Sequence, residues 1–159
     1  MEEYKVKSNK GITLVSLIVT IVVMGILLSV TVIYSSDLMQ KSKMTDYIGY
    51  MKLVKARADV VLEEEVFNSV GEIESDEISN SKIDDIIVEK YNDTKYLIRI
   101  WNGNDIANQG IDKSILKNAN YFVIVFNKES RKTVDVIYSE GCELKETIYY
   151  TLTDMEDVI

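Results

Sequence analysis

The chain has 159 residues, is 47% hydrophobic and 28% charged, and carries a net charge of -8. That length suits one compact domain with an additional element, and the composition is too apolar for a disordered chain. The acidity speaks against direct nucleic-acid contact, the absence of histidine removes the commonest general base and transition-metal ligand, and the lone Cys142 closes no intrachain disulfide.

Residues 1–11, MEEYKVKSNKG, set Lys5, Lys7 and Lys10 against Glu2 and Glu3. From Ile12 to Ser36 no residue is charged, a run of 25. As a helix it would measure about 37 Å, enough for a hydrocarbon core of about 30 Å. Charge returns at Asp37, Lys41 and Lys43. Beyond them Met44, Ile48, Met51, Val54, Ala58 and Val61 recur at spacings of three and four, one apolar stripe of an amphipathic helix. No turn signal separates the two patterns, so they predict one continuous helix from about Ile12 to about Phe67, about 80 Å long.

Residues 68–82 are polar and acidic, contain Gly71, and read as a loop in which Glu72, Glu74, Asp76 and Glu77 are solvated. Ile86–Tyr91 fits a strand or a short helix equally. Tyr96–Trp101 alternates as a strand, Tyr121–Phe126 and Thr133–Tyr138 form a hairpin across Asn127–Arg131, and Thr147–Leu152 is a fourth strand. Ile111–Lys117 reads as one or two helical turns. The fold class is therefore α+β: a long N-terminal helix, apolar and then amphipathic, packed on a small antiparallel sheet with one face to cover. Four regions follow: 1–11, 12–36, 37–67 as the amphipathic half of the helix, and 68–159 as loop and sheet.

The junction Lys10-Gly11-Ile12 stands out. A short basic leader ends in Lys-Gly, and the apolar run begins at once with Ile12, Thr13, Leu14 and Val15. KGITLV resembles the class III signal of type IV prepilins and pseudopilins: a basic leader ending in glycine, then an apolar residue, Thr-Leu and a long apolar run. The resemblance implies a pilin-like fold and cleavage between Gly11 and Ile12 by a membrane-embedded prepilin peptidase. N-methylation of Ile12 would follow. The implied partners are the peptidase, the membrane, the pilus assembly platform and other pilin subunits packed through their N-terminal helices. Before assembly the chain would be a single-pass membrane protein with its head outside, and afterwards part of a cell-surface filament. Thr13, Leu14, Val15, Ser16 and Gly25 would lie in the assembly helix. Ser16 departs from the pattern, since the family usually has glutamate there to pair with a neighbour's terminal amine. A serine cannot form that pair, although its hydroxyl has the carbonyls of Ile12 and Thr13 within reach. That favours a minor or tip-proximal subunit. The alternatives are a pseudopilin of a secretion or competence system and a signal-anchored surface protein that does not polymerise.

Other candidates have plainer readings. Gly25 serves either close helix packing or local unwinding. Asn102–Asp105, with Asp84, Asp85 and Asp112, offers oxygen ligands, but the spacing fits no defined calcium loop, and neither metal nor cofactor is expected. Asn92-Asp93-Thr94 is a glycosylation sequon, a pattern common by chance. Cys142 reads as a small semi-buried side chain beside a Gly141 turn. No nucleophile has a base to activate it and no glycine-rich phosphate loop occurs, so the expectation is a structural subunit and not an enzyme.

Overall fold

A computed structural model describes the backbone of residues 10–69, 71, 73–116 and 119–159. The side chains of 10–13 and 31–36 and the predicted leader through Asn9 lie outside the described residues. Helix α1 spans Lys10–Asn68, starting two residues before the predicted Ile12. Two compact units divide it, Met1–Met39 and Gln40–Ile159.

In the second unit, α1 is followed by α2 (Ser81–Tyr91), β1 (Tyr96–Trp101), α3 (Gly103–Asn108), a 3-10 turn (Lys113–Ile115), β2 (Phe122–Asn127), β3 (Lys132–Leu144), β4 (Thr147–Thr151) and α4 (Leu152–Asp157). The four strands form an antiparallel meander in the order β1-β2-β3-β4. The ambiguous segment 86–91 is thus helical. Asn80 caps it, its side chain accepting from the Lys82 amide, and Ile83 and Ile87 share its buried face.

The α1 stripe is buried as Met44, Ile48, Met51, Val54, Ala58 and Leu62. The last position is Leu62 and not the predicted Val61, which is half-buried. Both spacings from Ala58 are neighbours on a helix surface, and the packed core takes in Leu62 fully and Val61 only in part. This stripe packs with Leu97, Trp101, Phe122, Ile124, Phe126, Val136 and Tyr138 from one face of the sheet. Tyr47 of α1 stacks on Tyr138 at 5.0 Å between ring centroids.

The expectation of a single covered face is corrected. Ile98, Val123, Val125 and Ile137 point the other way and pack with Ile83 and Ile87 of α2. The sheet therefore lies between two helices. That explains the unbroken apolar run of β2, in which Phe122 through Phe126 are all buried.

Strand β3 is longer than Thr133–Tyr138. It runs on through Gly141, which has φ +72 where the β3–β4 register shifts. Gly141 and Cys142 therefore lie inside the strand and not beside a turn, and burial pushes the Cys142 thiol up from its ordinary range. The predicted fourth strand ends at Thr151, whose side chain caps α4 by accepting from the Asp154 amide.

The acidic loop is not wholly solvated. Its Asp76 amide donates to the Ile98 carbonyl at 3.0 Å, and the Ile98 and Ile100 amides donate to Ser75 Oγ and Asp76 Oδ2. The edge of β1 is thereby covered. Arg99 fastens the same loop, donating to the Glu74 carbonyl at 2.7 Å and pairing with Asp76 and with Glu65 near the end of α1.

Candidate functional site

The most unusual feature is the first part of α1. Within the predicted 12–36, its side chains are described from Leu14 to Val30. Among the described residues no helix is long and apolar enough to cross a membrane.

Within that stretch the large side chains are exposed all the way round. Leu14, Ile18, Ile21, Val22, Leu28 and their neighbours retain between 47 and 66% of their surface. Water-soluble surfaces rarely expose apolar patches beyond a few hundred Å². Valine, isoleucine and threonine dominate 18–23, and these are mediocre helix formers in water. In an apolar surrounding the helix is favoured because it satisfies every backbone group internally.

Two hydroxyls here turn back on the helix itself. Thr20 Oγ1 donates to the Ser16 carbonyl and Ser29 Oγ to the Gly25 carbonyl, each at 2.8 Å. A Cβ at Gly25 would have no non-local atom within 4 Å, so only a neighbouring molecule would give the missing side chain a packing role. Leu14, Val15, Ser16 and Gly25 thus share one exposed helix. The side chains of Gly11, Ile12 and Thr13 lie outside the described residues, as does any bond from Ser16 to Ile12 or Thr13.

In the second unit the polar clusters serve the fold. Asn102 and Asp105 form a capping box on α3: Asn102 Oδ1 accepts from the Asp105 amide, and Asp105 Oδ2 from the Asn102 amide. Asp112 accepts from the Ser114 amide and hydroxyl, which holds its carboxyl below the usual range. Asp84 lies in the first turn of α2 with Asp85 beside it. Among the described residues no three acidic, cysteine or histidine side chains are grouped to hold a metal ion. Asn92 caps the C-terminal end of α2, and the sequon lies in an exposed turn.

Two features escaped the sequence reading. Asp135 on β3 is fully buried, accepting from Tyr91 Oη at 2.7 Å and from the amides of Val136 and Thr153. It ties α2 and α4 to the sheet, and burial together with this bond pushes the Tyr91 hydroxyl well above its ordinary range. The second is a row of exposed apolar side chains on α1, Leu53, Val60 and Phe67. Its seven-residue spacing was present in the sequence, but the stronger core stripe masked it.

No protein-family model, curated protein or solved structure matches the chain.

Proposed function

We propose that the chain is a type IV pilin-like structural subunit. In this reading the apolar part of α1 first anchors it in a membrane and then packs with other subunits in a filament, leaving the α+β unit on the outside. The observation that carries the reading is the all-round exposure of Leu14–Val30 on a helix whose Thr20 and Ser29 hydroxyls bond to its own backbone. Such a surface demands lipid or other helices. KGITLV, which leads into it, supports prepilin processing over a simple anchor.

Cleavage between Gly11 and Ile12 would detach Lys10, Lys7 and Lys5 with Glu2 and Glu3, moving the net charge from -8 to -9. The first turn of α1 would have to open for the peptidase, and Gly11 is the residue that resists this least. The partners are then the peptidase, the assembly platform and other subunits. Ser16 removes one electrostatic register between helices, which favours a low-copy, tip-proximal place.

The test is the intact mass of the chain extracted from membranes of a host with a prepilin peptidase. A mass beginning at methylated Ile12 is expected, and Gly11→Val should retain the leader. A mass that keeps residues 1–11, or a cut beyond Ser36, overturns the reading. Quantitative mass spectrometry of sheared surface filaments then gives the copy number.

A further inference from the structure

The two edges of the sheet are finished differently. The outer edge of β1 is taken up by Ser75 and Asp76, which bond to Ile98 and Ile100. The opposite edge is β4. A two-residue turn joins it to β3, with φ of 50 at Lys145 and 67 at Glu146, the backbone of a tight mirror-image hairpin turn. Such a turn closes on a hydrogen-bonded pair, here Leu144 and Thr147, and by alternation Cys142 and Tyr149 form the next one. Ile148 and Tyr150 therefore aim their N–H and C=O groups away from β3. Among the described residues nothing bonds to these four outward groups.

The strand lacks the features that guard a free edge. Residues 147–151 hold no charge and no proline, and Ile148 is 48% exposed. A cavity of about 320 Å³ runs beside the strand, walled by Ile86 of α2 and by Asp154, Asp157 and Val158 at the α4 end. With β1 covered, two copies can join their sheets only β4 to β4, which is a closed two-fold contact. The sequence Thr-Ile-Tyr-Tyr-Thr reads almost the same in both directions about Tyr149. Antiparallel pairing of Ile148 with the partner's Tyr150 uses all four outward groups of each copy and puts Tyr149 on the dyad. A register shifted by two residues brings in Glu146, which belongs to the turn, or Leu152, which has entered α4, and loses half of those bonds. Charge selects the same direction. Residues 153–157 hold Asp154, Glu156 and Asp157 and no base. Antiparallel strands keep the two acidic α4 ends apart, each beside the turn that carries the other copy's Lys145 and Glu146, whereas parallel strands would set acid against acid.

We propose that β4 is a docking edge for β4 of a second copy, joining two four-stranded sheets into one of eight strands with Tyr149 at the centre. The dyad stands across the sheet and reverses every direction that lies in it. The buried stripe Met44–Leu62 of α1 lies on the sheet, so paired copies carry this part of α1 in opposite directions. The pairing does not depend on the filament reading. Under that reading it joins copies from opposed surfaces or from filaments that run opposite ways, and it excludes neighbours anchored in one membrane.

The test uses the full chain in neutral detergent, where no membrane fixes the direction of α1. Cys142 lies opposite Tyr149 on β3, so the cysteine variants are made with Cys142→Ala. Tyr149→Cys should give a disulfide-linked dimer on mild oxidation, because the dyad sets the two positions about 4.5 Å apart at Cα. Lys145→Cys should not, since the two turns lie at opposite ends of the joint. Ile148→Lys, which enters the contact twice, should reduce the linked fraction about tenfold. In the unmodified chain the Ile148 and Tyr150 amides should exchange slowly at high protein concentration and lose protection on dilution, while the Thr147 and Tyr149 amides, bonded to β3, stay protected throughout. A dimer linked through Lys145→Cys overturns the proposal, as does linking that survives Ile148→Lys. Concentration-dependent protection without a link at Tyr149 overturns the two-fold register. Protection that ignores concentration shows an edge already covered within the chain, and fast exchange at every concentration leaves the edge to a strand of some other protein. Both results refute pairing between copies.

Discussion

Two positions on α1, two residues apart, provide a sharp test of how this helix is used. Met51 is fully buried between the helix and the sheet, whereas Leu53 is 52% exposed. Met51→Ala removes buried thioether volume and leaves a cavity that neighbouring side chains fill only partly, a loss of about 2–5 kcal/mol. Leu53→Ala removes a side chain already half in water and should cost no more than about 0.5–1 kcal/mol. Met51→Asp adds an unpaired carboxylate to the core, several kcal/mol more, which approaches or exceeds a typical domain stability of about 5–15 kcal/mol. The measurement is urea unfolding of the unit Gln40–Ile159, followed by fluorescence of Trp101, the chain's single tryptophan, which lies in the same core. A Met51→Ala loss below about 1 kcal/mol, or an equal loss at Leu53, would refute the packing of α1 on the sheet.

Further outcomes follow from single contacts. Gly141→Ala should destabilise the unit by about 2 kcal/mol or more, because φ is +72 and the new Cβ would meet Ile148 Cγ2 at 2.5 Å and the Tyr149 carbonyl at 3.0 Å. An unfolding midpoint equal to that of the parent chain would argue against the bulge. Arg99→Ala should speed hydrogen exchange at the Ile98 and Ile100 amides, which bond to the loop that Arg99 fastens, while the Val123–Val125 amides change little. Uniform acceleration, or none, would count against that local role. The Tyr91 hydroxyl is raised in the folded state, so its contribution is complete below the unfolded value near 10 and is lost as pH rises above it. Tyr91→Phe should lower stability by about 1–2 kcal/mol at neutral pH and flatten the decline above about pH 10, which unfolding at pH 8 and 11 would reveal. Cys142, buried and with its thiol pushed up, should alkylate orders of magnitude more slowly in the folded chain than in urea, and rapid labelling in both would be the contrary result.

The sequence by itself determined the elements that depend on local pattern. The charge-free run from Ile12, the helical spacing of Met44 through Ala58, and the alternation of Tyr96–Trp101 are periodic, and periodicity survives without knowledge of partners. Tertiary structure decided what depends on contact. Ile86–Tyr91 became helix α2 because Ile83 and Ile87 cover a second face of the sheet, and no local signal announced that the face needed cover. Leu62 displaced Val61 at the end of the stripe because both spacings are helical and only the packed sheet discriminates between them. Asp135 looked like one more carboxylate until the fold brought Tyr91 and Thr153 to it. Gly141 and Cys142 moved from a turn into β3 because a bulge needs a partner strand to exist. Local spacing reports which way a side chain faces along its own element, and only the assembled layers report what it meets there.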